Sequence, residues 1–267
     1  MNKISDAIIE ICRINSENER DIAINKIHPL SKLLSTILYI VIVLSFDKYD
    51  LKGLSAMVLY PLINMILYDI SIKRCFKRLK PILIIISAVG IINPFVDRKA
   101  VFAFFGITIT SGLISMITLM LKGIFAVMAS YILIVTTSIE KICYSLRVLH
   151  VPKIIVSVVL FIYRYIIVLL KETEKLVDAY LLRAPGQKGV NFKVWGSLAG
   201  MLLLRSMDRA EEVYESMVLR GYNGEYYIES EKSYFIYSIL YLAIWTGVIL
   251  LFRFIHIFDI VGRIFIR

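Results

Sequence analysis

The sequence predicts an all-α, polytopic membrane protein with about five transmembrane helices, up to seven, and a charged domain of two long amphipathic helices. Three observations predict it. Of the 267 residues, 58% are hydrophobic, and mean hydropathy is +0.75. That is more apolar surface than a soluble domain of this length can bury. Uncharged runs long enough to enter a bilayer alternate with short charged segments. Two charged stretches, Lys171 to Gly186 and Arg205 to Gly224, have helical apolar periodicity and end on Leu-Arg followed by a small residue.

Charge and cysteine content narrow the class further. Formal net charge is +10 and the isoelectric point about 9.4. In a chain this apolar, an excess of cations on cytoplasmic loops explains the balance, and nucleic acid is not expected as a partner. Cys12, Cys75 and Cys143 are odd in number and widely spaced, which suggests neither a disulfide framework nor a zinc site. The start of the chain is polar and acidic, without the basic and apolar regions of a cleaved signal peptide.

Taken in order, residues 1–32 balance five Lys/Arg against five Asp/Glu and are placed in the cytoplasm. Leu33 to Phe46 and Gly53 to Tyr68 are uncharged and form an antiparallel pair of spans across the tight linker Asp47 to Lys52. Asp69 to Lys80 sets Lys73, Arg74, Lys77, Arg78 and Lys80 against one acid and reads as a cytoplasmic loop. Pro81 to Val96 is the third span, leaving Asp97-Arg98-Lys99 outside.

Between residues 100 and 139 two solutions remain. Either Lys122 separates two spans at a membrane face, or residues 100–109 are an outer connector and Thr110 to Ser138 is one long tilted helix. The second leaves Lys122 near mid-membrane, at about 2.5–3.5 kcal/mol unless it is buried against protein.

Pro152 to Ala184 reads as one helix. Proline is tolerated at its start, and no breaker separates the apolar run Ile154 to Leu170, interrupted by Arg164, from the charged turns after it. Such a helix extends about 50 Å, too long for a simple span. A turn through Pro185-Gly186-Gln187-Lys188-Gly189 leads to a second long helix, Trp195 to Arg220. Ser233 to Phe252 is a clean span, followed by an amphipathic tail. A five-span chain with Pro152 to Ala184 outside the count puts residues 139–232, with thirteen Lys/Arg, in the cytoplasm; a seven-span chain, in which residues 100–139 are split and 154–170 spans, gives both arginine helix ends the same cytoplasmic side. Three segments result: a membrane domain over 1–138 with four spans, the charged domain over 139–232, and a last helix with its tail over 233–267.

The helix ending at Arg220 places Ala210, Val213, Tyr214, Met217 and Gly221 on one stripe, with Arg209, Glu211, Glu212 and Glu215 largely elsewhere. Arginine in a last turn faces the negative end of the helix dipole, and Gly221 permits a left-handed cap. The earlier copy, Leu182-Arg183-Ala184, lacks that glycine.

Chemistry is conspicuously sparse. His28, His150 and His256 are scattered, without partners at metal-ligand spacing, and no phosphate-binding loop is present. Glu211 and Glu212, beside Arg209, read as solvated salt-bridging surface. No catalytic residue, metal site or cofactor is expected.

The chain resembles the transmembrane T component of energy-coupling-factor (ECF) transporters, in its cobalt/nickel-type CbiQ-like branch. The residues that carry the resemblance are His28-Pro29 with Lys32-Leu33-Leu34, Thr136-Thr137, Val151-Pro152, Tyr163-Arg164-Tyr165, and above all Leu202 to Glu225. The family's short motif is written Ala-Arg-Gly, and both copies here depart from it while keeping the arginine. The resemblance implies a non-catalytic subunit of an ATP-driven importer at the plasma membrane. Its cytoplasmic coupling domain is two long crossing helices. The ends Leu182-Arg183-Ala184 and Leu219-Arg220-Gly221 dock two ABC-type ATPase subunits, and a separate membrane substrate-binding subunit sits in the bilayer. Cobalt or nickel is the implied substrate. Alternatives are a T component serving vitamin-type substrate subunits, or a membrane-embedded enzyme.

Overall fold

A computed structural model describes residues 27–92, 94, 100–104, 107–184, 186–187, 189–224 and 235–254, together with Ile9. Most of the N-terminal segment, Asp97-Arg98-Lys99, Lys188 and the amphipathic tail lie outside the described residues. The chain divides into two compact units. One contains Asp21–Thr137 and Lys232–Arg267; the other contains Ser138–Glu231. Among the described residues, three helices are long and apolar enough to cross a membrane: Ser111–Thr136, Lys153–Arg183 and Ile236–Phe254. Pro29–Leu44, Gly53–Leu67 and Leu79–Gly90 are shorter apolar stretches.

In the first unit, α1 (Pro29–Leu44) begins where Pro29 fills the first position and the His28 ring Nδ1 accepts the Leu30 N–H at 3.2 Å. The expected second span is two helices, α2 (Leu51–Ala56) and α3 (Leu59–Leu67). The break at Met57 does not leave its carbonyl bare, because the Tyr39 hydroxyl donates to it at 2.8 Å. In an apolar environment that partner is what makes a break tolerable.

The basic stretch after Asp69 is not a loop. It forms the first turns of α4 (Ile72–Gly90), which carries Pro81 inside and ends before the expected Val96. A run of cations marks sidedness but does not stop a helix, since Lys and Arg are good helix formers. The connector before the long helix is also structured: β1 (Ala100–Phe104) and β2 (Ile107–Thr110) pair antiparallel, a single hairpin in an otherwise helical set of described residues. The aromatics Phe102 and Phe104 and the alternating, β-branched Ile107-Thr108-Ile109-Thr110 suit paired strands.

α5 (Ser111–Thr136) is one continuous helix, as the second solution requires. Lys122, however, meets the end of α1: its ammonium donates to the carbonyls of Leu44, at 3.2 Å, and Phe46. α9 (Phe235–Phe254) completes the unit. The core joins Tyr39, Val43, Leu54, Met57, Tyr60, Phe125, Ala129, Trp245 and Ile249. Tyr39 and Tyr60 stack at 4.2 Å, and Trp245 meets Tyr60 edge-on at 4.6 Å.

In the second unit, α6 (Ile139–Val148) starts at Ser138, whose hydroxyl accepts the Lys141 N–H at 3.4 Å. It packs on α7 (Lys153–Arg183) through Cys143, Val156 and Leu160. α7 is unbroken over 31 residues, as its lack of an internal breaker predicts. A short 3₁₀ turn, Phe192–Val194, leads into α8 (Trp195–Leu219).

Candidate functional site

The two arginine ends differ in how they stop. At the end of α8, Arg220 is the C-cap and Gly221 takes φ +81°. The Gly221 N–H donates to Val218 O at 2.9 Å, and the Tyr222 N–H reaches back to Met217 O at 2.9 Å. These two bonds define a Schellman cap, and the left-handed residue they require is the glycine the sequence supplies. At the end of α7, Ala184 caps at φ −123°, with its N–H on Tyr180 O at 3.0 Å. The positive φ is postponed to Gly186, and the Tyr180 hydroxyl donates to Gln187 Oε1 at 2.6 Å, tying the turn back to the helix. The missing glycine thus changes the stop without moving the helix end from Arg183.

Both tips are presented to solvent. Leu182 is 83% exposed and Leu219 88%, while Arg183 and Arg220 are also exposed. Leucine beside an exposed guanidinium at a helix end is surface without internal work, a pattern of contact sites.

Between α7 and α8 lies an apolar groove of about 540 Å³. Phe161, Tyr165 and Leu169 of α7 line one wall, and Ala210, Val213 and Met217 of α8 the other. The stripe read from the sequence is therefore the groove wall, with Tyr222 in place of Gly221. Arg209, expected away from the stripe, also borders the groove. Glu172 and Arg205 form an ion pair across the helices, at the end of the groove beyond Leu169. No sequence signal marks this pair, because its partners are joined only by the crossing.

From the ion pair the groove runs backward along α7 and forward along α8. Arg183 and Arg220 therefore leave the crossing in opposite directions. At 1.5 Å per residue, Arg183 is about 16 Å beyond Glu172 and Arg220 about 22 Å beyond Arg205, so the tips are on the order of 40 Å apart at most.

Titratable chemistry is thin around these features. Among the described residues no group of three His, Cys, Asp or Glu could hold a metal ion. His28 is a helix cap, His150 sits in a turn at φ +63°, and His256 lies outside the described residues. Cys143 is buried between α6 and α7; burial pushes its thiol up, and the Glu140 carboxylate adds to the shift.

Comparison with known proteins places this architecture. The profile of the family described as CbiQ, cobalt transport protein, matches residues 22–234. The chain belongs to this family. The energy-coupling factor transporter transmembrane protein EcfT of Clostridium kluyveri is 27% identical over 220 residues, 76% of this chain and 81% of that protein. The putative fused cobalt transport protein CbiMQ of Methanocorpusculum labreanum is 31% identical over 122 residues, 45% of this chain and 20% of that protein. The nickel permease LarQ of Lactiplantibacillus plantarum is 29% identical over 91 residues, 34% of this chain and 33% of that protein. This CbiQ-family chain is accordingly a transmembrane subunit of the ECF transporter type, and its role is transport.

Proposed function

We propose that the chain is the coupling subunit of an ECF-type ABC importer at the plasma membrane, with residues 139–232 in the cytoplasm. The observation that carries this reading is the pair of exposed Leu-Arg helix ends pointing away from a common crossing. Leu182-Arg183-Ala184 and Leu219-Arg220-Gly221 each dock one of two ABC-type ATPase subunits, the guanidinium bound bidentately by carboxylates or carbonyls. The apolar groove between α7 and α8 grips the membrane substrate-binding subunit. ATP-driven closure of the ATPase pair changes the angle between the two helices and so moves the subunit they hold. The chain itself is non-catalytic and needs no cofactor.

Cobalt or nickel is the proposed substrate, supported by the family description and by the relatives named for those metals. The metal would be bound by the substrate subunit. The alternative, a T component serving vitamin-type substrate subunits, has an observation of its own: the EcfT relative covers more of this chain than either metal-named relative. Co-purification of the full chain with its ATPases and substrate subunit in detergent, followed by uptake assays with cobalt, nickel and vitamins, tests both. A chain that recovers no ATPase overturns the coupling reading; vitamin uptake without metal uptake selects the alternative.

A further inference from the structure

Two lysines in the membrane unit pair with backbone carbonyls at the ends of each other's helices. Lys32, near the start of α1, is only 4% exposed, and its ammonium donates to Thr136 O, the last residue of α5, at 3.4 Å. It also lies 4.9 Å from the centre of the Tyr68 ring. Lys122, within α5, donates to Leu44 O, the last residue of α1, and to Phe46 O just beyond. We propose that Lys32 and Lys122 are reciprocal caps that fix the register of α1 against α5.

The physical case rests on the two helix ends. The last carbonyls of a helix have no partner within it. In an apolar surround an unmet carbonyl is costly. Each contact gives one such carbonyl a cation from the other helix, and places that cation at the negative end of the dipole. Lys32 to Leu44 spans about 18 Å of α1 and Lys122 to Thr136 about 21 Å of α5, so antiparallel helices bring both contacts into place together. A slip by one turn, about 5.4 Å, breaks both. The packing between them, Tyr39 and Val43 with Phe125 and Ala129, is apolar and non-directional. The lysines supply the direction. Lys32 also holds α5 where the chain leaves this unit, two residues before Ser138.

A double-mutant cycle on the full chain in detergent tests the inference. Lys32→Met and Lys122→Met keep the apolar stem and remove the donor. Each should lower the melting temperature by several degrees. Because either cap alone still selects the register, the double variant should fall by more than the sum of the two. A double loss equal to or below the sum overturns the reciprocal role. Should the double variant fail to accumulate, the native protein decides. Reductive dimethylation read by mass spectrometry should modify Lys32 and Lys122 roughly tenfold more slowly than exposed Lys80. Equal rates at all three positions overturn the proposal.

Discussion

At the residue scale, two turns of opposite character give predictions of opposite sign. Gly221 sits at φ +81° and His150 at φ +63°. Both close Schellman caps: the His150 N–H donates to Arg147 O and the Val151 N–H to Leu146 O, each at 3.1 Å. A side chain in this region costs roughly 1–2 kcal/mol. Gly221→Ala should therefore destabilise by about 1 kcal/mol, and His150→Gly should be neutral or stabilising by up to about 1 kcal/mol. Thermal unfolding in detergent reads both, and a stabilising Gly221→Ala would contradict the cap geometry. Arg220→Glu removes an exposed cation with little folding consequence, so it should insert and accumulate normally yet lose ATPase coupling. Normal uptake at parental expression would sink the docking role. Cys143 offers a pH test. Its raised thiol is protonated at a pH where an ordinary cysteine is partly thiolate, so alkylation of the native protein should begin to accelerate only at higher pH than in the unfolded chain. Coincident rate profiles in the two states would refute it.

At the element scale, the long helices were legible and the interruptions were not. α7 follows from the unbroken stretch between Pro152 and the turn at Gly186, α8 from the apolar periodicity after that turn, and the cap at Gly221 from Arg then Gly. The split between α2 and α3 is announced only by Pro61, in the first turn of α3, which has no N–H for the Met57 carbonyl four residues earlier; that a tyrosine from another helix, Tyr39, satisfies this carbonyl is not legible in the sequence. The helical state of the basic segment in α4 was hidden by using charge to read sidedness, a separate property from conformation. Lys122 was expected to be costly in lipid unless it met protein, and the partners that meet it, Leu44 and Phe46, lie far away in sequence. α7 carries an apolar stretch able by length and composition to cross a membrane, yet Arg164 within it is exposed. We propose that α7 lies in or just below the cytoplasmic leaflet. Single reporter cysteines at Lys153 and Lys171, in a background lacking Cys12, Cys75 and Cys143, should both label only from the cytoplasmic side. Labelling of the Lys153 and Lys171 reporters from opposite sides would make α7 a span, a sixth beside the single continuous helix α5.

At the scale of the whole molecule, the opposite directions taken by the two arginine ends matter more than either end alone. Tips separated by up to about 40 Å suit two sites on two subunits better than two contacts on one. On the docking proposed above, rigid helices would make the second contact intramolecular, and such linkage raises binding by about 10²–10⁴ when the geometry permits both contacts. Arg183→Glu and Arg220→Glu should each weaken retention of the ATPases, and the double variant should release them more fully than either single one. The ends are nonetheless unequal. Through the cap at Gly221, Tyr222 folds back into the apolar groove beside Met217, so the second arginine and the groove share one rigid piece. Arg183 has no such link, since its turn closes on itself through Tyr180 and Gln187. Tyr222→Ala should therefore weaken both substrate-subunit retention and ATPase coupling, whereas Tyr180→Phe, which removes only the hydroxyl at the other tip, should spare the substrate subunit. Pull-down of both partners from one detergent extract separates the two effects, and a Tyr222→Ala chain that retains both partners at parental levels would show that the groove and the Arg220 tip act independently.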